Sequence, residues 1–315
     1  MDLRALMGSH LKLRHLILVL AVAEYRSLAR TATELFLTQP ALSRALREAE
    51  SAVGMALFER TRHGMVPTTA GVAYLEHALV IVGQAEVLRR RLEELTDPQG
   101  GSVSIGAFVT GANLLVPRAV ARLANARPKT NVRISEAPPD TLIQELISGD
   151  LDLLVGRITR HASTSALTLV PLYREPYRIV AATGHPALLP GASNLADLAA
   201  FPWAMPVAGT PLYDTLVDEF RKTGTAMPDH QVECATPAPL RTLVVEAGYL
   251  TVMQESMAAA DPDFRMHPLV IEGLAQDVGY MLSPDRPLTS AAQLLVDCLH
   301  EESKRIIREL SAASP

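Results

Sequence analysis

The sequence predicts an α/β fold class, preceded by a small all-α unit, on three observations. In residues 27–50, apolar side chains recur at three- and four-residue steps, as in two short helices joined by a tight turn. Residues 70–95 contain no proline and keep that spacing, which is typical of one long helix. From residue 102 onward, short apolar runs alternate with helical segments, which indicates a sheet covered by helices.

Composition places the chain among ordinary globular proteins of two or three domains. Its 315 residues are 48% hydrophobic and 20% charged. Cys234 and Cys298 have no metal-ligand spacing and are too few for a disulfide framework, so we expect both to be reduced core residues of a cytoplasmic protein.

An apolar run at residues 16–23 follows basic residues as in an export signal. Because the run is short, we expect a core helix instead.

The second helix of the amino-terminal pair has one apolar and one polar face. Thr38 is the predicted N-cap, and Pro40 suits the first turn because its missing N–H has no partner to lose there. The polar face carries side chains that suit a DNA major groove: Gln39, Ser43, Arg44 and Arg47. Gln can pair with adenine, Arg with guanine, and Ser with a base edge or a phosphate. The alternative is an ordinary helix pair whose polar face meets water.

The residues after this helix predict a wing. Two short apolar runs in residues 53–68 are separated by a basic segment that ends in Gly64, as in a β-hairpin. Its tip would present Arg60, Arg62 and His63 to a phosphate backbone or a minor groove. Residues 1–68 hold nine Lys and Arg against six Asp and Glu, a balance of +3, which leaves −8 for the rest of a chain of net charge −5. This distribution favours a protein that contacts DNA through one module.

The long helix has an apolar seam. Its members are Val72, Leu75, Leu79, Val82, Ala85, Leu88, Leu92 and Leu95. The pattern suits either a helix packed on its own chain or a seam with a second chain. Two copies of a DNA reader must be held one helical turn apart to read a palindrome, which favours the dimer seam. Residues 96–101 then have linker composition.

The remainder of the chain predicts a parallel α/β sheet. Strands are expected at residues 102–107, 132–136, 151–156, 177–182, 231–234 and 250–253. Helices are expected at residues 114–126, 140–148, 211–223, 239–247 and 289–310.

Taken together, these residues resemble the LysR-type transcriptional regulators over residues 13–310. The resemblance is carried by SLARTA at residues 27–32, TQPALSR at 38–44, Gly54, LFER at 57–60 and TTAG at 68–71. It implies a winged helix-turn-helix in residues 1–68, a dimerising linker helix in 69–97 and an effector-binding domain in 98–315. That domain would resemble type 2 periplasmic binding proteins, with lobe I at about 98–177 and 278–315 and lobe II at about 178–277.

The resemblance also implies a function. Such regulators bind an interrupted palindrome in double-stranded DNA as homotetramers, each a dimer of dimers, and activate or repress a neighbouring operon, with RNA polymerase a further expected partner. The implied DNA contacts are Gln39, Pro40, Ser43, Arg44, Arg60 and Arg62. No catalytic residue, metal, cofactor or membrane association is expected. The sequence departs from the family at Ala49, where the family usually has leucine. The Gly156-Arg157 pair resembles a subgroup that includes regulators of sugar-binding-protein and aromatic-acid operons.

A small anionic or polar effector is expected between the lobes, where the carboxyl ends of strands meet. The candidate contacts are Thr110, Gly111, Pro138, Arg157, Pro206 and Thr251. The resemblance gives Thr110 as the usual effector contact, and Arg157 could neutralise an acid. The structural alternatives are a helix cap for Thr110, a surface ion pair for Arg157 and a core position for Thr251. We expect Trp203 to anchor a lobe.

Two other classes of protein are alternatives for this sequence. An α/β dehydrogenase or hydrolase would need a motif such as G-x-G-x-x-G, G-x-S-x-G or H-E-x-x-H, and the sequence has none of them. Its nine histidines are scattered without metal-ligand spacing. A solute-binding protein would explain residues 102–310 but neither the polar helix face nor the wing.

Overall fold

The structure is a computed structural model that describes residues 11–97, 99–107, 113–158, 164, 167–234, 236–271, 273–284 and 286–313. The amino-terminal unit contains α1 (Leu13–Tyr25), α2 (Leu28–Glu34), α3 (Gln39–Val53), β1 (Phe58–Thr61) and β2 (Gly64–Pro67). A single helix, α4 (Thr69–Thr96), joins this unit to the rest of the described chain.

The remaining elements alternate as the sequence predicts. The strands are β3 (Ser102–Ala107), β4 (Asn131–Ser135), β5 (Leu153–Arg157), β6 (Thr168–Ala182), β7 (Trp203–Met205), β8 (Gln231–Glu233), β9 (Leu250–Gln254), β10 (Phe264–Met266) and β11 (Ala275–Leu282). The helices are α5 (Leu115–Ala126), α6 (Pro139–Ser148), α7 (Leu195–Ala199), α8 (Pro211–Lys222), α9 (Pro237–Ala247), α10 (Glu255–Ala260) and α11 (Ser290–Ala313).

The amino-terminal unit has its own apolar core. Leu18, Val19 and Val22 of α1 are buried against Leu42 and Leu46 of α3. The apolar run of residues 16–23 is therefore part of a core helix, as the sequence predicts. Ala49 is fully buried in the same core, so the departure from leucine leaves the end of α3 packed.

Side-chain caps fix the helix starts in this unit. The Thr38 hydroxyl accepts a hydrogen bond from the amide of Ala41, which confirms the predicted cap of α3. Thr68 caps α4 in the same way through the amide of Gly71. The order of elements is that of a winged helix-turn-helix, with β1 and β2 as the wing.

Helix α4 packs on its own chain along one face and leaves an apolar row on another. Gly83 lies against the α6 carboxyl end, where an added Cβ would lie 2.1 Å from the carbonyl oxygen of Ser148. Leu88, Leu92 and Leu95 are exposed. By length and composition alone α4 could cross a membrane, and only 22% of its most apolar 18-residue stretch is buried. Both packing modes that the sequence left open are therefore compatible with this helix.

The predicted parallel sheet is wrong at the centre of the α/β region. Within the described residues, nine strands form one sheet in the order β4-β3-β5-β11-β6-β9-β7-β8, with β10 beside β6. Neighbours are parallel at each end, where β3 pairs with β4 and β5, and β7 pairs with β8 and β9. Strands β6 and β11 instead run antiparallel to each other and to their outer neighbours. These two strands connect the lobes.

The two central strands, β6 and β11, were not fully predicted from the sequence. The predicted strand at residues 177–182 is only the second half of β6, because Pro171 and Pro176 interrupt the apolar pattern of the first half. Strands β7, β10 and β11 and helices α7 and α10 were not predicted. Each lobe has its own core, and Trp203 is fully buried in that of lobe II, with its indole N–H donating to the carbonyl of Leu198 at 2.9 Å. Trp203 therefore anchors a lobe, as expected.

Candidate DNA-binding surface and effector cavity

Helix α3 presents the polar face that its sequence predicts. Leu42 and Leu46 are buried beneath it. The predicted contacts share the opposite face: Gln39, Pro40, Arg44 and Arg47 are exposed and Ser43 is half-buried. The Arg47 Nε donates to the carbonyl of Ser43 at 3.3 Å. Four groups with hydrogen-bonding side chains are thus available on one outward helical surface.

The wing lies beside the helix-turn-helix, and a backbone hydrogen bond next to its turn ties it to the residue that follows α1. Arg60, Arg62 and His63 are exposed, and the Arg62 Nε donates to the His63 ring at 3.0 Å. The amide of Met65 donates to the carbonyl of Arg26 at 2.9 Å. Gly64 has a φ of +100°, and an added Cβ would lie 2.3 Å from the oxygen of Arg26. Only glycine fits there without moving the wing.

Two further arginines belong to this basic surface and were not singled out from the sequence. Arg26 and Arg30 are exposed at the start of α2, and the Arg30 guanidinium lies 5.2 Å from the centre of the Tyr25 ring. Their position could have predicted this role, because the first helix of a helix-turn-helix crosses the DNA backbone.

A cavity of about 1120 Å³ lies between the two lobes. Of the predicted effector contacts, Arg157, Pro206 and Thr251 line it. Pro138 lies in the loop before α6, between Ala137 and Pro139, which do line the cavity. The predicted contacts Thr110 and Gly111 lie outside the described residues. The structure therefore brings together side chains from loops and strands far apart in the sequence.

The polar side chains of the cavity differ in how far they are already satisfied. The Thr251 hydroxyl donates to the carbonyl of Ala204 at 2.8 Å and is buried, as in the core alternative. The guanidinium of Arg241 pairs with Asp261 at 2.7 Å and also with Asp263. Arg157 forms no ion pair with any described residue. It is therefore the cation of the cavity lining that remains available among these residues.

Several residues that line the cavity were not predicted from the sequence, because no local motif marks them. They include Tyr177 and Gln276 on the central strands, Gln254 at the end of β9, and Met257 and Met281 on the apolar walls. Cys234 is half-buried and lines the cavity, which corrects the expectation that both cysteines lie in the core. Cys298 is buried, and burial is the main cause that raises the pKa of its thiol.

Among the described residues, no group of three or more His, Cys, Asp or Glu side chains could hold a metal ion.

A buried carboxylate lies on β6, one of the two strands that connect the lobes. Glu175 of β6 accepts hydrogen bonds from the Ser256 amide at 3.0 Å and from the Ser256 hydroxyl at 2.8 Å. Burial raises the pKa of Glu175 above its usual value, although the bonds from Ser256 act in the opposite direction. The contact fixes the start of α10 to the connecting strand.

A second buried network fixes the linker helix to lobe I. Arg90 forms an ion pair with Asp152 at 2.9 Å, and the same carboxylate accepts from the Ser104 amide at 2.8 Å. Glu94 caps α11 by accepting from the Ser290 amide at 2.9 Å and from its hydroxyl at 2.8 Å. Burial alone would raise the pKa of Glu94, but hydrogen bonds from Ser290 and the Ala291 amide hold it below its usual value.

A winged helix-turn-helix joined to a two-lobed domain with a ligand-sized cavity defines a regulator of the one-component type, which combines a DNA reader and a small-molecule site in one chain. Two family models match: "Bacterial regulatory helix-turn-helix protein, lysR family" over residues 13–72 and "LysR substrate binding domain" over residues 96–304. The chain belongs to the LysR family of DNA-binding transcriptional regulators, which are not enzymes.

The relatives span nearly the whole chain. The regulator GbpR of Azospirillum brasilense is 29% identical over 304 residues, which cover 95% of this chain and 89% of GbpR. The regulator GalR of Pseudomonas putida is 30% identical over 291 residues, which cover 91% and 73%. The crystal structure of full-length CbnR in complex with its target DNA is 22% identical and covers 93% and 100%, with a TM-score of 0.51. This structural similarity supports the fold.

Proposed function

We propose that the chain recognises an interrupted palindrome in operator DNA through α3 and the wing, and that a small effector in the inter-lobe cavity switches its activity. The outward polar face of α3 carries this proposal, because Gln39, Ser43 and Arg44 offer base-reading groups with no buried partner to release. Arg60 and Arg62 of the wing, with Arg47, supply charge for the phosphate backbone.

The base contacts can be tested by substitution. We expect Gln39→Ala or Arg44→Ala to weaken binding to the preferred duplex by about 1–3 kcal/mol, because each loses a bidentate base contact. The duplex would be obtained by selecting a random library with the wild-type chain, and affinities measured by fluorescence anisotropy across a salt series. Ser51→Ala, an exposed position later on the same helix, serves as the matched control. Equal affinity and unchanged sequence preference in both variants would refute these contacts.

Pairing of two chains through α4 would place two readers on one palindrome. Ala85, Leu88, Leu92 and Leu95 of the predicted seam are joined by Ile81 in place of the half-buried Val82, and these five positions alternate in steps of four and three, the spacing of a coiled-coil seam. All but Ala85 are exposed, and Ala85 is half-buried. Each seam holds one pair of DNA-binding units, and two such pairs would form the dimer of dimers.

An anionic or polar effector suits the cavity. Arg157 lines the cavity without an ion-pair partner among the described residues, and the amino ends of α6, α8 and α9 contribute Pro139, Pro211 and Pro237 to its lining. Helix amino ends carry a partial positive charge, so they add to the attraction of an anion. The walls between these groups are mostly apolar, which fits an acid with a hydrocarbon body. Thr110 remains a proposed contact.

We expect Arg157→Gln to weaken binding of a carboxylate effector at least tenfold, because the variant removes the positive charge that neutralises the carboxylate. A panel of small carboxylic acids, matched neutral amides and sugars would be screened by thermal shift and the best ligand measured by calorimetry. Arg133→Gln, on the exposed edge strand β4, is the control of equal charge change. Equal carboxylate affinity in both variants, or a preference for the neutral amides, would exclude an anion held by Arg157.

The effector would act by population shift, binding one arrangement of the lobes more tightly than the other. The regulated assembly would contact RNA polymerase at the promoter and work in the cytoplasm. Identifying the genes whose transcription changes when the chain is removed would test this role directly.

A further inference from the structure

The turn between α2 and α3 holds a fully exposed aromatic side chain. Phe36 is 96% exposed, the largest exposed fraction among the large apolar side chains of the described residues. The next value, 79% for Leu95, belongs to the α4 seam. An aromatic ring gains nothing from folding when it stays in water. Its presence at this position therefore has no explanation within the isolated chain.

The backbone at Phe36 makes the residue choice more unusual. Phe36 ends α2 in a Schellman motif, in which its amide donates to the Thr33 carbonyl at 3.1 Å and the Leu37 amide donates to the Ala32 carbonyl at 2.8 Å. This motif requires a left-handed residue, and Phe36 has a φ of +55°. Glycine or asparagine normally fills such a position because a larger side chain is strained there. Local folding therefore disfavours phenylalanine on two counts.

The surroundings of Phe36 indicate what it contacts. It lies three residues before Gln39, so their Cα atoms are at most about 11 Å apart. The segment from Arg26 to Arg47 contains four arginines and one acidic residue, Glu34. An apolar ring within a basic surface fits duplex DNA better than the apolar seam of a second copy, which lies on α4.

We infer that Phe36 is a DNA contact, which packs its ring on an apolar group of the operator beside the major-groove edge that α3 reads. This inference rests on the proposed operator recognition and adds a contact that carries no hydrogen bond. The apolar groups that a duplex offers there are the 5-methyl group of thymine and the deoxyribose face. The backbone strain at position 36 is then balanced by affinity for DNA.

The test uses substitutions that should stabilise the fold and weaken DNA binding. Phe36→Asn and Phe36→Gly suit the left-handed backbone, so thermal unfolding of the full chain should occur at the same or a higher temperature. Affinity for the selected duplex should nevertheless fall by about three- to tenfold, whereas Phe36→Tyr should keep it. A merely structural role of Phe36 would not give opposite changes in stability and affinity. Leu189→Asn, at an exposed apolar position in lobe II, is the matched control.

Replacing thymine by deoxyuridine in the selected duplex distinguishes the two DNA groups. If Phe36 packs on a thymine methyl group, this replacement should weaken the wild-type chain and leave Phe36→Gly unaffected. If Phe36→Gly lowers the affinity by the same factor for the thymine duplex and for the deoxyuridine duplex, the contact is assigned to deoxyribose. Unchanged affinity of Phe36→Gly for the selected duplex would overturn the inference, whatever the effect of this variant on transcription. If Gln39→Ala weakens binding in the same assay, the proposed operator recognition survives that result.

Discussion

Arg90→Ala is expected to lower the free energy of unfolding by about 3–5 kcal/mol. The variant removes one partner of a buried ion pair and leaves the Asp152 carboxylate without its counter-charge. Both side chains are nearly inaccessible, at 9% and 3% exposure, so water cannot replace the lost guanidinium. Denaturation by guanidinium chloride, followed by circular dichroism at several wavelengths, would measure the loss.

Arg91→Ala is the matched control, because Arg91 is the next residue of α4 and is exposed. Its effect should stay within about 0.5 kcal/mol. The double variant Arg90→Leu with Asp152→Asn should recover part of the stability, because asparagine keeps an acceptor for the Ser104 amide and the unpaired Asp152 charge is removed. Equal stabilities of Arg90→Ala and Arg91→Ala would show that the pair does not hold the linker helix to lobe I.

Gly64→Ala is expected to weaken operator binding by tenfold or more and to destabilise the DNA-binding unit by about 1–3 kcal/mol. The added methyl group would overlap the Arg26 carbonyl oxygen at 2.3 Å, and φ of +100° is unfavourable for alanine. The wing must then move, which carries Arg60 and Arg62 away from their places beside α3. Anisotropy titrations with the selected duplex and thermal unfolding would measure the two effects.

Gly54→Ala separates strain from the clash. Gly54 also has a left-handed backbone, at φ of +74°, but an added Cβ would meet no atom within 4 Å. We expect a smaller loss of stability and little change in the position of the wing. If Gly54→Ala weakens binding as much as Gly64→Ala does, the contact between the wing and Arg26 is not what positions the wing.

The DNA-binding unit is the part that sequence predicts most completely, because its signals are local. The Thr38 cap, Pro40 in the first turn and the helical spacing of Leu42 and Leu46 lie within nine residues. These signals also fix which face of α3 is exposed. The sequence does not mark Phe36, because a turn residue belongs to neither helical stripe, and its exposure and left-handed backbone are visible only in the structure.

The effector cavity is the part that sequence predicts least. Arg157, Pro206 and Thr251 were expected there because strand ends in α/β sheets converge. The central strands were only partly recognised, since β6 contains two prolines and β11 returns antiparallel after about ninety residues of lobe II. Gln276 of β11 therefore had no reason to be placed in the lining.

Sequence alone determined the order of parts: a winged helix-turn-helix, a long helix and an α/β region, because periodicity and capping act over a few neighbouring residues. The tertiary structure decided which distant residues meet. Arg90 and Asp152 are 62 positions apart, and Glu94 and Ser290 are 196 apart. Such pairs depend on how whole elements pack, and a local pattern carries no information about its partner on another element.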